Sequence, residues 1–162
     1  MVNESVATYL NDHLAGSVVA LELLDHLAAD QAHASDVPIL ANLRAEILAD
    51  RQQLEAFMAQ RGIAASRPRQ VMAWLTEKLS ELKLRLDDPG QGALRRLEAL
   101  EAVALGILGK AALWHALDAA AEHAPDLSGL DYAHLVRRAT EQHRVVETLR
   151  LQAAREALST GS

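Results

Sequence analysis

The long apolar stretch in residues 93–123 is the feature that most limits how this chain folds. Residues 102–109 carry no charged side chain, and only Lys110, His115 and Asp118 interrupt the apolar sequence that follows up to residue 121. A helix of this composition must be covered by other elements on most of its sides. A membrane span is not expected, because the uncharged run is much shorter than the roughly 20 apolar residues that a span requires. We therefore predict a central helix of a bundle.

Four other segments have helical periodicity and plausible helix ends. The full set of predicted helices is 5–30, 38–61, 68–86, 93–123 and 131–158. Ser35 or Asp36 is expected to cap the second helix, with Pro38 in its first turn, and Gly62 to end it. Asp131 is expected to cap the last helix. The helix over 68–86 would connect two hairpins.

Three of the predicted helices have one apolar stripe each, formed by residues spaced three and four apart. These stripes are Leu10, Leu14, Ser17, Leu21, Leu24 and Ala28; Leu40, Leu43, Ile47, Asp50, Leu54 and Phe57; and Leu135, Ala139, Gln142, Val146, Leu149 and Ala153. Each stripe contains one polar residue, namely Ser17, Asp50 or Gln142. A stripe that faces the core would bring these polar groups inside the bundle.

The composition supports a single all-α domain over residues 1–162. The chain is 50% hydrophobic but only 3% aromatic, which is typical of helices packed through small and aliphatic side chains. Short joints predict two antiparallel hairpins, and the long passage between them can cross the length of the bundle. That passage would let the first helix and the helix over 93–123 run in parallel or obliquely.

The charge and the residue types exclude several classes of function. The formal net charge is -6, so the surface has no general attraction for the phosphates of nucleic acid. The chain has no cysteine, glycine-rich phosphate loop or Gly-x-Ser-x-Gly turn, and thus no support for a hydrolase or a nucleotide-binding protein. The first residues lack the features of a signal peptide, so a cytoplasmic location is expected.

The first helix resembles that of the bacterioferritins. Residues 9–21 read Tyr-Leu-Asn-Asp-His-Leu-Ala-Gly-Ser-Val-Val-Ala-Leu, and Ala49-Asp50-Arg51 with Gly62 is similar to the end of the second helix of that family. The segment 109–114 adds a resemblance to uncharacterised bacterial members with a degenerate metal site. This resemblance implies a ferritin-like four-helix bundle with two hairpins and a long crossover containing an extra helix.

The di-metal centre of ferritin-like proteins needs bridging carboxylates and a Glu-x-x-His turn from each of two helices. This sequence contains no Glu-x-x-His, and Ser17 stands where the family has a glutamate. The remaining inward candidates are Asp50, Glu101 and Gln142, with possible help from Glu46, Glu98 and His143.

The heights of these candidates along the bundle argue against a common site. Ser17 and Asp50 lie at similar distances from the first turn and can face each other. Glu101 and Gln142 are expected roughly 15 Å apart, since each residue rises about 1.5 Å. We expect no catalytic residue, metal ligand or cofactor, and hydrogen bonds to other helices for the polar residues. The alternative is a residual metal or small-ligand site formed by Asp50, Glu101, Gln142 or His143.

The seven histidines do not form a ligand pair at helical spacing. We expect a solvated surface or helix end for His26, His33, His123 and His134. His13 is expected to be an interface residue satisfied by a partner. His115, beside Trp114, is expected to be a core histidine, or alternatively to line a cavity.

Three functions remain open at this point. The first is a non-catalytic bundle that acts through protein or ligand binding after loss of the di-metal site. The second is a di-metal carboxylate oxidase or metal-storage protein with an altered ligand set. The third is a bundle that binds an apolar small molecule near Trp114 and His115. A homodimer is also expected, because the helix over 93–123 is apolar nearly all round and Trp74 and Leu84 lie off the connector's stripe.

Overall fold

The computed structural model describes residues 3–66 and 92–159, together with the isolated positions Ala73, Glu77 and Ser80. Within these residues the chain forms four long helices and no strand: α1 (Glu4–Ala28), α2 (Val37–Gln60), α3 (Gly92–Ala121) and α4 (Tyr132–Leu158). Short 3-10 helices occupy Gln31–Asp36 and Pro125–Leu127. The predicted all-α bundle is confirmed. Apart from those three isolated positions, the predicted connector over 68–86, with Trp74 and Leu84, lies outside the described residues.

The ends of these four helices agree with the predicted ends to within two residues. Gly62 adopts φ of 67°, a left-handed conformation that glycine accepts readily, and the chain leaves α2 there. The side chain of Asp131 accepts a hydrogen bond from the His134 N–H at 2.9 Å, as expected of a cap. Asp36 stands at the start of α2 but makes no capping hydrogen bond. Its carboxylate instead accepts a hydrogen bond from Arg96 at 2.6 Å.

The apolar stripes form the core. Every stripe position of α2 and α4 is buried, including Asp50 and Gln142, whereas Ser17 and Ala28 of α1 are half-buried. The buried apolar residues form two clusters, one around Leu24 and Leu100 and the other around Phe57 and Trp114. Along α2 and α3, two polar residues separate these clusters: Asp50 lies between Ile47 and Leu54, and Lys110 lies between Ile107 and Leu113.

Contacts at the two ends of the bundle define the direction of each helix. At one end, which we call the turn end, the turn between α1 and α2 meets the start of α3 through Asp36 and Arg96. The end of α4 lies there too, because Glu156 Oε2 is 2.9 Å from His33 Nε2. At the opposite end, the loop end, Arg61 after α2 donates to the carbonyl oxygens of Asp126 and Ser128 between α3 and α4.

These contacts give two antiparallel hairpins, α1–α2 and α3–α4, in which α2 and α3 run in the same direction. The start of α1 lies at the loop end, where Asn11 Nδ2 donates to the Ala64 carbonyl oxygen at 3.2 Å. Helix α1 therefore runs antiparallel to α3, and the expectation that these two helices run in parallel is wrong. Since α2 ends at the loop end and α3 begins at the turn end, residues 67–91 join opposite ends of the bundle.

The histidine at the α1–α2 turn is not the solvated residue that we expected. His33 Nδ1 lies 2.8 Å from Asp30 Oδ2, and its other ring nitrogen contacts Glu156, so the ring ties the turn to the end of α4. Burial opposes the charged form of His33, but the hydrogen bonds to Glu156 and Asp30 outweigh it and raise the pKa of this residue.

Helix α3 is the most apolar helix in the described part of the chain. The helix is long enough for a membrane span, and an 18-residue stretch within it is apolar enough, with a mean hydropathy of 1.4. The core helix of a bundle can have the same properties. The buried face of α3 includes Leu100, Val103 and Ile107, which pack within the core. Leu105 and Leu108 point outward and are 68% and 48% exposed.

Candidate functional site: an ion cluster and an adjoining cavity

A polar cluster lies inside the bundle where α2, α3 and α4 meet. Asp50 of α2 and Gln142 of α4 are only 2% and 1% exposed. The ammonium group of Lys110, from α3, donates hydrogen bonds to Asp50 Oδ2 and to Gln142 Oε1. Gln142 Nε2 also donates to Asp50 Oδ2 at 3.0 Å. One lysine thus connects three helices through two buried acceptors.

Arg138 of α4 adds a second positive charge to the cluster. Its Nη2 lies 3.1 Å from Asp50 Oδ1 and donates to the Glu46 carbonyl oxygen at 2.9 Å. Asp50 Oδ1 has no aligned hydrogen bond despite this short distance, so the contact with Arg138 is mainly electrostatic. We refer to Asp50, Lys110, Arg138 and Gln142 as the ion cluster.

The environment of Lys110 shifts the pKa of its ammonium group. Burial lowers the pKa of Lys110 because it removes water from the ammonium group, while the neighbouring carboxylate of Asp50 works in the opposite direction. Two buried charges lose several kcal/mol of hydration each, and only good geometry and complete hydrogen bonding offset that loss. The cluster is therefore a costly arrangement that depends on all its members.

The remaining carboxylate candidates do not join this cluster. Glu101 is exposed, and its Oε1 lies 3.3 Å from Arg150 Nη1. Glu98 accepts a hydrogen bond from Arg95 at 3.0 Å. The expectation that the inward polar residues fail to meet was correct for Glu101 but wrong for Asp50 and Gln142, which are directly bonded.

The other sequence candidates lie at the edge of the cluster or away from it. Ser17 faces the cavity described below, and its hydroxyl donates to the Leu14 carbonyl oxygen at 2.6 Å. His13 packs edge-on against Tyr9 with ring centroids 4.7 Å apart, and burial lowers its pKa. His143 is half-buried. His115 is exposed, so the expectation of a core histidine is wrong.

The donor set in this region does not fit a di-metal centre. Among the described residues, no three His, Cys, Asp or Glu side chains converge to hold a metal ion. Asp50 is the carboxylate of the ion cluster, and its partner is the Lys110 ammonium. A positive group bonded to the carboxylate disfavours a divalent cation at that carboxylate.

A cavity of about 190 Å³ adjoins the ion cluster between α1, α2 and α3. Asp50 and Lys110 line its polar side, and most of the remaining wall is apolar, with contributions from Ala20, Ile47, Leu54 and Ile107. Three glycines, Gly16, Gly106 and Gly109, also line it.

These glycines leave space rather than bring helices close together. A Cβ atom placed on Gly16, Gly106 or Gly109 would meet nothing within 4 Å among the described residues. Gly106 and Gly109 therefore do not mark a close contact between helices, although glycines in an apolar helix often do. Alanine is the better helix former, so these glycines lower the stability of α1 and α3 but enlarge the cavity between them.

Trp114 lies beside this cavity and carries a buried hydrogen-bond donor without a partner. The side chain lines the cavity and is 1% exposed, yet its Nε1–H has no hydrogen-bond partner among the described residues. A buried donor without a partner costs roughly 1–3 kcal/mol. Water does not reach this nitrogen either, so the folded bundle bears this cost.

Sequence reasoning missed the residue at the centre of the site. Lys110 was read only as an interruption of an apolar helix, yet it is the one Lys or Arg between residues 97 and 136. A lone cation in an apolar helix, together with an acidic residue on another helix's stripe, is a signal for a buried ion pair. No family model, curated protein or solved structure matches this chain.

Proposed function

We propose that this chain is a ferritin-like bundle in which an ion cluster replaces the metal centre, and that it acts by binding a small molecule without catalysing a reaction. The direction of the helices supports the fold part of this proposal. The two antiparallel hairpins, joined by a segment between opposite ends of the bundle, support the two hairpins and long crossover of this proposal.

The position of Lys110 carries the proposal. In a ferritin-like centre, inward carboxylates of neighbouring helices are neutralised by metal ions. Here Asp50 is neutralised by the ammonium group of Lys110, and the amide of Gln142 accepts a hydrogen bond from that same group. The side-chain ammonium of Lys110 takes the electrostatic role that a metal ion has in a ferritin-like metal centre.

The cavity supports the binding part of the proposal. Pockets for small molecules are largely apolar and contain a few placed polar groups, which is the composition around Lys110 and Trp114. The alternative of a di-metal oxidase or storage protein would need carboxylate or histidine ligands, and Glu101 lies on the surface with Arg150 instead. We further propose that the protein is a cytoplasmic homodimer, for which Leu105 and Leu108 offer an exposed apolar surface.

Elemental analysis tests the loss of the metal centre. The protein, purified without chelator, is incubated with Fe²⁺ or Mn²⁺ and desalted before analysis. The expected metal content is well below one ion per chain, for the wild type and for Lys110→Met alike. A content of about two ions per chain in the wild type would contradict the proposal, and its loss in Asp50→Ala would locate the site.

Ligand binding is tested separately with small apolar probes. A ¹H–¹⁵N spectrum recorded with indole or acetophenone should show shifts confined to residues that line the cavity. Gly109→Leu should abolish these shifts because the leucine fills the cavity. The control Ala112→Leu adds a leucine to the exposed face of α3 and should leave binding intact. Unchanged binding in Gly109→Leu would contradict a ligand in this cavity.

A further inference from the structure

We infer that the cavity beside the ion cluster selects small uncharged hydrocarbons that carry no hydrogen-bonding group. This inference rests on the proposed function, and it specifies the ligand class of the same cavity. The wall of the cavity, the bonds of the polar side chains around it and its volume lead to this class.

The wall of the cavity is mainly apolar. Besides the three glycines, it includes buried aliphatic side chains from α1, α2 and α3, namely Ala20, Ile47, Leu54, Ile107 and Leu113. A ligand that fills this space removes its own apolar surface and that of the wall from water, which favours binding in proportion to the area buried. This gain requires no hydrogen bond between ligand and protein.

The ion cluster on the polar side of the cavity is bonded within itself. Asp50 Oδ2 accepts hydrogen bonds from Lys110 and Gln142, and the ammonium group also donates to Gln142 Oε1. The third N–H of Lys110 offers a ligand one bond, whereas a hydroxyl group makes two or more with water. Lys110 and Arg138 are balanced by Asp50 and by the nearby Glu46, so a charged ligand would lose its hydration without meeting an unpaired charge.

The unpartnered polar atoms beside the cavity are out of a ligand's reach. Among the described residues that line it, two side-chain atoms are buried without a hydrogen-bond partner, Asp50 Oδ1 and Trp114 Nε1. Each has practically no surface that even a water-sized probe can touch. Neither atom therefore compensates a polar ligand for the water that it loses.

The other polar side chains on the wall are bonded to the protein or lie towards the surface. The Arg51 guanidinium is paired with Glu55 at 3.0 Å, and the Ser17 hydroxyl donates to a backbone carbonyl oxygen of its own helix at 2.6 Å. Asp12 is exposed and His13 is half-buried. The interior of the cavity thus rewards apolar surface and penalises polar groups.

The volume limits the ligand to about one ring with a short substituent. An apolar cavity of about 150 Å³ is large enough for benzene. The present cavity of about 190 Å³ accommodates a benzene ring with one or a few additional carbon atoms. Monocyclic hydrocarbons such as toluene therefore fit in size and in chemistry.

Toluene and phenol form a matched pair of probes for this inference. They have nearly the same size and shape, but phenol has a hydroxyl group in place of the methyl group. Titration of each into the ¹⁵N-labelled protein gives its affinity from the shifts of amides along the cavity. Toluene should bind at least about tenfold more tightly than phenol, because the hydroxyl group gives up its bonds to water on entering the cavity.

Three variants locate the effect. Gly109→Leu should remove the shifts caused by toluene because the leucine fills the cavity, whereas Ala112→Leu on the exposed face of α3 should leave them unchanged. Trp114→Phe removes the unpartnered indole N–H and should leave the preference for toluene over phenol within about twofold. A preference that grows severalfold in this variant would show that the indole bonds to phenol, against the inference. The comparison on the wild-type protein stands alone if a variant fails to fold.

The results that overturn the ligand class differ from those that overturn ligand binding. Phenol binding as tightly as toluene, or binding of indole without toluene, would overturn the hydrocarbon class but leave the proposed function intact. Tighter binding of benzoate or benzylammonium than of toluene would overturn the choice of an uncharged ligand. No binding of toluene, phenol, indole or acetophenone at millimolar concentration would overturn both this inference and the ligand-binding part of the proposed function.

Discussion

The ammonium group of Lys110 donates a hydrogen bond to the carboxylate of Asp50 inside the bundle, linking α3 to α2. Asp50 is 2% exposed, so its charge has almost no contact with water. Removal of Asp50 would leave the charge of Lys110 buried without its carboxylate, whereas removal of Lys110 would leave Asp50 with Arg138 alone. Such a pair constrains the fold more than it stabilises it, because the desolvation of both groups offsets much of their attraction.

Asp50→Ala should therefore destabilise the protein strongly. The variant leaves Lys110 without its counter-charge, and the expected loss is about 3–5 kcal/mol of unfolding free energy. Urea unfolding followed by circular dichroism measures this loss. Glu101→Ala is the matched control, because it removes a carboxylate from an exposed ion pair with Arg150 and should leave the unfolding midpoint unchanged.

The double variant Lys110→Met/Asp50→Leu tests why Asp50→Ala is destabilised. The cause is either the unbalanced charge of Lys110 or the space left by the missing side chain. Both charges are then absent, and apolar side chains of similar size fill their space. Most of the stability lost in Asp50→Ala should return. A double variant that is as unstable as Asp50→Ala would refute the explanation by charge.

His33 should make the protein less stable as the pH rises above about 6.5. Its pKa is raised from the ordinary value of 6.5, so its contribution is fully present below pH 6.5 and is lost as the pH rises through the raised pKa. The pKa of Glu156 is lowered from 4.5, mainly by the hydrogen bond from His33, so its contribution is lost at more acid pH.

The variant His33→Gln should be less stable than the wild type by about 0.5 kcal/mol at pH 5.5, with a smaller difference at pH 8.5. Thermal unfolding at both pH values measures this. His123→Gln, at an exposed histidine, should show no such dependence. A stability difference that grows with rising pH would contradict the assigned contacts.

The glycines of the cavity should be replaceable by alanine with a gain in stability. Gly109→Ala places a methyl group in open space within a helix, and the expected gain is about 0.5–1 kcal/mol. Gly62→Ala should have the opposite effect, because φ of 67° is strained for alanine. Urea midpoints measure both changes, and a destabilising Gly109→Ala would show that the space is needed for packing.

Self-association is predicted to involve the outer face of α3. Leu105 and Leu108 are exposed on this helix, and a twofold dimer would cover them. Sedimentation at micromolar concentration should give twice the chain mass of 17.6 kDa, and Leu105→Glu should shift it to the monomer. The control is Arg144→Glu, which changes an exposed residue of α4 and should leave the mass unchanged. A wild type that sediments only as a monomer would contradict this prediction.

The helices were predictable because local signals decide them. Stripe spacing, a glycine at the end of α2 and an aspartate before α4 are properties of neighbouring residues, and each predicted its element correctly. The burial of Asp50 and Gln142 followed from the same stripes. Relative directions were harder, since the length of a connection does not state which ends it joins; the contact of Asp36 with Arg96 settles this for α3.

The site was only partly predictable because it depends on the heights of separate helices. A residue's height along its own helix is fixed by sequence, but the offset between two helices depends on packing. Lys110 also has a long flexible side chain, so its charged end can lie several ångströms from its own backbone position. The comparison of residue heights that argued against a common polar site considered only carboxylates and amides. It did not include Lys110, whose side chain joins Asp50 and Gln142.

The ion cluster also fixes the axial register of the two hairpins. Asp50 belongs to the α1–α2 hairpin, whereas Lys110, Arg138 and Gln142 belong to the α3–α4 hairpin. Aliphatic side chains would tolerate a slip of one hairpin past the other by one turn, about 5.4 Å. In that slipped arrangement Lys110 would be buried against leucine, and Asp50 would lose every partner. The buried charges therefore penalise the wrong alignment of two otherwise similar apolar surfaces.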